Sequence, residues 1–429
     1  MDRRNAIKTA ATLGAMAALP KFSWAEGKQS RLKVGLIGCS GRGMGAVRDM
    51  LAAANGSVQI TSIADLFPDR LEVALNSFKR NAKTFGADCF DVPASRQFAG
   101  WDAYKQLLAE DVDIVIHATP PVFRPLHLRA AAEAGKHMFV EKPACVDPVQ
   151  ARELEEVAKL ADEKNLSIVP GVQRRFHKGY QEAIKRVHDG DIGEILAAQV
   201  YWLNSRFWIQ NGGKLYLQNP DPMQMEYQIR NWFIFRWISG DCYVEQHVHN
   251  LDILRWVMDK DPLVVNGVGG RRWDLTYPNL GDRFSHFAVD YDFGNGVHAS
   301  SYSRREPKSK DYVHERIVGT KGILEMGYDK QRIIGKKAWE SPKDIPQCLE
   351  EEHRVLIESV QNNKPVNMLR AMLDSTLMAI AGRESCYAGQ DFKFAWLKNR
   401  SKQSFAPKEW KLGVHDLDPV PLPGEYKLS

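Results

Sequence analysis

The chain has 429 residues, 44% hydrophobic and 26% charged, an ordinary globular composition with length enough for two domains. Its formal net charge is +5. Residues 1–25 carry Arg3, Arg4, Lys8 and Lys21 against the single acid Asp2, so the remainder is close to neutral and a nucleic-acid partner is not expected. The six cysteines, at 39, 89, 145, 242, 348 and 386, lack CxxC or metal-ligand spacing. They read as free thiols filling small buried volumes, and no metal centre is expected.

Arg3-Arg4, a mild apolar run from Thr9 to Leu19, and Ser23-Trp24-Ala25 form a basic start, an apolar core and a small-x-small site. Residues 1–25 therefore read as a signal peptide of twin-arginine type, which uses the twin-arginine export machinery and delivers a folded protein to the periplasm. The run is too short to span a bilayer, and no membrane span is expected.

The first strand, Arg31 to Gly38, runs into Gly38-Cys39-Ser40-Gly41-Arg42-Gly43 and then a helix to Ala54. Glycines at such a turn let backbone amides approach a pyrophosphate at a helix N-terminus. The usual third position of the fingerprint is Ser40, and the displaced Gly41 compensates. The second strand ends in Asp65, an acid that accepts hydrogen bonds from ribose hydroxyls and repels a 2′-phosphate. NAD is therefore expected over NADP, with Arg70 keeping NADP open.

His117 to Pro143 is the stretch the chain is organised around. A buried strand, Asp113 to Ala118, turns through Thr119-Pro120-Pro121 into an alanine- and leucine-rich helix that ends at Gly135. A second strand, Met138-Phe139-Val140, then delivers Glu141-Lys142-Pro143. Ligands of open parallel sheets bind outside the carboxyl ends of strands, so Thr119-Pro120 and Glu141-Lys142 face one crevice, with Lys142 a cation aimed at a ligand. A helix from Asp147 to Lys164 and a strand from Leu166 to Val169 complete a doubly wound sheet of about six parallel strands over residues 31–172.

Residues 173–390 change character. Five β segments between Leu196 and Val318 predict an antiparallel sheet with one open face. The insertion 203–236 carries Trp208, Tyr227 and Trp232 among Arg206, Gln228, Arg230 and Asn231. It either shapes a carbohydrate pocket or is buried in a neighbouring subunit. Gly240 to Trp256 predicts one helix with Asp241 as N-cap; Glu245 and His249 then share a face at i,i+4, with Asp252 a turn beyond. The residues alone leave two readings, a structural ion pair or a carboxylate orienting a histidine base. Arg174 and Arg175, at the junction, are substrate contacts or inter-domain salt bridges. Met368 to Tyr387 predicts an amphipathic helix, and 391–429 an arm draped over this subunit or another.

Val34 to Gly43, Ala64-Asp65, His117-Ala-Thr-Pro-Pro, Ala134-Gly-Lys-His, Glu141-Lys-Pro, Gly190-Asp-Ile-Gly, Val248 to Asp252 and Val318-Gly-Thr-Lys-Gly together resemble the Gfo/Idh/MocA oxidoreductases, in order and over nearly the whole mature chain. The resemblance implies a Rossmann domain, an open-faced antiparallel sheet domain, and hydride transfer on a secondary hydroxyl of a sugar, glycoside or polyol. It makes Lys142 the residue that contacts cofactor and reacting hydroxyl, with an acid-x-x-x-His pair opposite; Glu245 stands where that family usually has Asp. The expected catalytic set is Lys142, His249 and Glu245. The expected cofactor set is Gly38, Ser40, Gly41, Arg42, Gly43, Asp65, Thr119, Pro120, His127, Glu141 and Lys142, and Arg174, Arg175, Trp208, Trp232 and Asp252 are candidate substrate contacts. An exported enzyme cannot draw on free NAD, so the cofactor is expected to be tightly bound. The preferred reaction gives a 3-keto sugar or glycoside, with a redox-neutral glycosidase and a non-catalytic NAD-binding sensor as alternatives, and a homo-oligomer is expected.

Overall fold

A computed structural model describes residues 31–205, 221–272, 281–343 and 348–429. The signal-peptide expectation and Trp208 lie outside the described residues, as do residues 206–220 of the insertion. Among the described residues no helix is long and apolar enough to cross a membrane.

The first half alternates strand and helix: β1 (Leu32–Ile37), α1 (Gly41–Ala54), β2 (Val58–Asp65), α2 (Pro68–Phe85), β3 (Gln97–Ala99), α3 (Ala103–Leu108), β4 (Ile114–His117), α4 (Arg124–Glu133), β5 (His137–Val140), α5 (Pro148–Glu163) and β6 (Ile168–Pro170). The six strands are parallel in the order β3-β2-β1-β4-β5-β6. Val34, Leu36, Ile114, Val115, Ile116, Met138, Phe139 and Val140 are fully buried, as strands covered on both faces require. The order reverses between β1 and β4, and that switch point opens the cleft.

The second half starts with α6 (Lys178–His188) and β7 (Ile195–Asn204). Short helices α7 (Met225–Arg230), α8 (Arg236–Ser239) and α9 (Asp241–Glu245) lead to α10 (Val248–Met258). Strands β8 (Val264–Gly270), β9 (His286–Asp292), β10 (His298–Arg305), β11 (Tyr312–Gly319), β12 (Gly322–Gly327), β13 (Lys330–Gly335) and β14 (Trp339–Glu340) follow. Then come α11 (Cys348–Gln361), α12 (Leu369–Ala388), β15 (Phe392–Lys393) and α13 (Phe394–Arg400). The sheet runs β14-β13-β12-β11-β7-β10-β9-β8-β15. It is mixed rather than purely antiparallel, because β7 and β10 pair in parallel. Two chain segments separated by about a hundred residues meet at its centre, a pairing no local turn signal announces.

One expectation is corrected here. The helix α12 is not amphipathic: Leu369, Met372, Leu373, Met378, Ala381, Tyr387 and even Arg383 and Glu384 are buried. It is sandwiched between α5 of the parallel sheet and β8 and β9 of the mixed sheet, so from Ser375 to Ala388 every side meets protein, and Arg383 pairs with Glu384 at 2.6 Å. The carboxyl-terminal arm folds onto its own chain. The Phe405 amide donates to Asp147 (2.8 Å), Met225 to the Gly413 carbonyl (2.8 Å) and His415 to that of Met223 (2.8 Å).

Candidate active site

A cavity of about 520 Å³ lies at the switch point. Its floor is the glycine turn. Gly38 has φ +101°, and a Cβ there would sit 2.7 Å from the Ala118 carbonyl carbon and the Thr119 nitrogen. A Cβ at Gly43 would sit 2.1 Å from the Gly38 carbonyl oxygen, so Gly43 serves close packing of helix on strand. A Cβ at Gly41, which lines the cavity, would meet nothing within 4 Å. That open space above the first turn of α1 is what a diphosphate needs, and the residues present fit a dinucleotide.

Asp65 ends β2 beside this turn. Its carboxylate accepts from the amides of Cys39 (2.7 Å) and Phe67 (3.1 Å). Burial raises its pKa, and the two amides work against that rise. Two amides leave carboxylate lone pairs for ribose hydroxyls. Ser40, Gly41, Arg42, Thr119, Pro120, His127, Glu141 and Lys142 also line the cavity. Arg42 donates to Glu141 at 2.5 Å and to Asp49 at 3.1 Å. Burial works most strongly against its charge, yet Glu141, Glu352 and Asp49 together outweigh burial and raise its pKa. The His127 ring lies tilted against Tyr104, with ring centroids 4.4 Å apart, and burial followed by the Arg124 charge lowers its pKa to about 3.

At the other end, Lys142 and Glu245 meet. The Lys142 ammonium donates to the Glu245 carboxylate at 2.7 Å and to the Glu245 backbone carbonyl at 2.6 Å. The second bond exists because the predicted single helix is two. The residue α9 ends on is Glu245, and the His249 amide bonds to the Gln246 carbonyl (3.3 Å), not to that of Glu245. A continuous helix would satisfy the Glu245 carbonyl internally; the break releases it to the lysine. Glu245 and His249 are therefore not neighbours on one helix face. Nor is Asp241 an N-cap: it is the first residue of α9, at φ +73°, and it accepts from the Phe284 amide (2.7 Å) and the Tyr387 hydroxyl (2.5 Å).

His249 is not among the described residues lining the cavity. It is buried and stacks on Trp202 with ring centroids 5.8 Å apart. Burial, then the Lys142 charge, holds its pKa well below the usual histidine value. Asp252 and Arg175 form a buried ion pair (2.9 Å), and Ser375 donates to Asp252 (2.5 Å). Arg174 pairs with Glu315 in the mixed sheet. Both arginines stitch the junction, and neither they nor Asp252 line the cavity. Trp232 does.

One charged cavity residue escaped the sequence reading. Arg124 is 4% exposed. It donates to the Thr119 carbonyl (3.0 Å) and to the Pro143 carbonyl, tying together the two strand ends that carry the site. Burial lowers its pKa to about 10. An arginine five residues after Thr119 was a usable signal. Arg230, which the sequence places among the polar residues of the insertion, lines the cavity as well.

The family model for the NAD-binding Rossmann fold of the Gfo/Idh/MocA oxidoreductases matches residues 32–171, and the model for a Gfo/Idh/MocA carboxyl-terminal domain matches 180–325. The chain belongs to that family: it is an enzyme, an NAD-binding oxidoreductase. The inositol 2-dehydrogenase of Rhizobium meliloti (strain 1021) is 24% identical over 294 residues, 68% of this chain and 74% of that protein. A levoglucosan dehydrogenase solved with NADH and levoglucosan is 18% identical, with a TM-score of 0.66, covering 85% of this chain and 100% of its own. A glycosyl hydrolase family 109 protein of Shewanella sp. (strain ANA-3) is 29% identical over 185 residues, 42% of this chain and 37% of that protein.

Proposed function

We propose that the enzyme oxidises a secondary hydroxyl of a sugar, glycoside or polyol at the Lys142–Glu245 pair, with tightly held NAD, and that C3 of a pyranose ring is the position attacked. The observation that carries this is the pair itself, an ammonium and a carboxylate 2.7 Å apart inside the cleft. Bound NAD supplies the hydride acceptor. The protein must take a proton from the hydroxyl and hold the charge that develops on its oxygen. The Glu245 carboxylate accepts the proton. The Lys142 ammonium donates to the oxygen as charge builds, fixed in place by its second bond to the Glu245 carbonyl. Arg124, behind both strand ends, keeps Lys142 and Thr119 in register. His249 is a relay one layer back.

The Gly38–Gly43 turn with Ser40 and Arg42 takes the diphosphate, Asp65 the ribose, and Thr119, Pro120 and His127 the rim. Trp232 offers a planar face to the sugar. Residues 1–25 act as a twin-arginine leader, so the enzyme works in the periplasm. The open face of the mixed sheet, where Tyr302 is 38% and Tyr312 47% exposed, is a contact between copies in a homo-oligomer.

The test is to purify the exported form, identify the nucleotide released on denaturation, and screen glycosides for reduction of bound NAD by its absorbance. A 3-keto product supports the proposal; no reduction with any sugar or polyol overturns it. The partial likeness to a glycosyl hydrolase keeps a redox-neutral elimination as the second reading, and release of a free aglycone without accumulation of NADH would favour it.

A further inference from the structure

Arg230 is the last residue of α7, in the insertion, yet its guanidinium reaches the first turn of α2 in the parallel-sheet half. It pairs with both Asp69 oxygens, at 2.9 and 3.1 Å, while its Nε donates to Glu226 at 2.8 Å. It lies 3.8 Å over the Phe67 ring, with its side chain 6% exposed. Arg230, Phe67, Asp65, Arg70 and Trp101 all line one cavity. A bidentate guanidinium stacked on an aromatic ring is oriented by both contacts.

The carboxyl-terminal arm pins this bridge from outside. Backbone bonds join Met225 to Gly413 and His415 to Met223, each 2.8 Å, and the Gln228 side chain donates to the His415 carbonyl at 2.9 Å. Trp410 packs against Phe123 and Trp101, with ring centroids 5.0 and 6.1 Å apart. One apolar cluster, including Phe67, Phe123, Tyr227, Ile229 and Phe405, joins the loops of the parallel sheet, the insertion and the arm.

We propose that Arg230 is the cofactor-retaining residue of this site. Its ion pair with Asp69 roofs the end of the cleft that takes the adenosine half of NAD, and the arm holds the roof shut. This rests on the proposal that NAD is held through turnover and names the residue responsible. Release of the dinucleotide then requires the Arg230–Asp69 pair to open.

The experiment uses the full exported chain, loaded with NADH and chased with excess NAD, with release followed by loss of nicotinamide fluorescence. Wild type should keep its nucleotide through dialysis. Arg230→Met and Asp69→Asn should each release NADH at least about tenfold faster, and the charge swap Asp69→Arg with Arg230→Asp should restore slow release. Asp69 is 48% exposed, so its variant tests the bridge if Arg230→Met fails to fold. Slow release in both wild type and Asp69→Asn would overturn the role of Arg230 and leave cofactor retention intact. Loss of nucleotide from wild type on dialysis would overturn retention itself.

Discussion

The Lys142 ammonium holds Glu245 twice, by its carboxylate at 2.7 Å and by its backbone carbonyl at 2.6 Å. The acid and the chain break that exposes its carbonyl thus form one unit with the lysine. Lys142→Ala should lower kcat by about 10²- to 10³-fold while the purified protein still carries its nucleotide. Steady-state kinetics and nucleotide content after denaturation check both halves.

Glu245→Gln keeps the carbonyl acceptor and removes the base, so kcat should fall without loss of fold. Glu245→Ala leaves a mostly buried ammonium without its counter-charge and should destabilise by about 3 kcal/mol, read from thermal melts. His249→Gln should slow turnover less than Glu245→Gln, because the imidazole does not line the cavity. The reverse ranking, measured in the same assay, would return the base role to His249.

The glycine turn separates packing from binding. Gly43→Ala forces a methyl to 2.1 Å from the Gly38 carbonyl oxygen, and should lower the melting temperature as well as NAD affinity. Gly41→Ala meets no protein atom within 4 Å. It should melt like wild type and yet bind NAD more weakly, as titration calorimetry would show.

His247 is fully buried against Ser301 (2.6 Å) and Tyr243, and burial, then the Arg174 charge, lowers its pKa from 6.5 to about 3. Between those values the unfolded chain binds a proton that the folded chain does not, so this contribution to stability is lost as pH falls below 6.5. His247→Gln removes that dependence. Its destabilisation should be smaller at pH 5 than at pH 7, by about 2 kcal/mol; denaturant melts at the two pH values measure it. Comparing the variant with wild type cancels the opposing contribution of Asp147, whose pKa burial raises to about 6.

The parallel sheet was legible because its signals are local. Continuous apolar runs mark β1, β4 and β5, glycine and proline mark their ends, and Gly38, Asp65, Thr119 and Lys142 stand at fixed places after strands. The mixed sheet was less so. Strands β12 to β15 are short and partly exposed, and the β7–β10 pairing depends on contacts far apart in the chain. The helix from Asp241 to Trp256 misled because its composition suits a helix throughout. The break comes from elsewhere: His247 turns in to Ser301, and Asn250 to the Tyr201 carbonyl (3.1 Å) and to Glu315. Arg174, Arg175 and Asp252 look like ligand groups in sequence, since only the packed junction shows that Arg175 pairs with Asp252 and Arg174 with Glu315.

With α12 wedged between both sheets, nothing at the junction is free to swing. Residues 32–429 form one compact unit with a core common to both halves. The mature enzyme should unfold in a single endotherm, and substrate capture should come from small rearrangements at the cleft mouth, around Trp232 and Trp410, with no jaw-like motion of one half against the other.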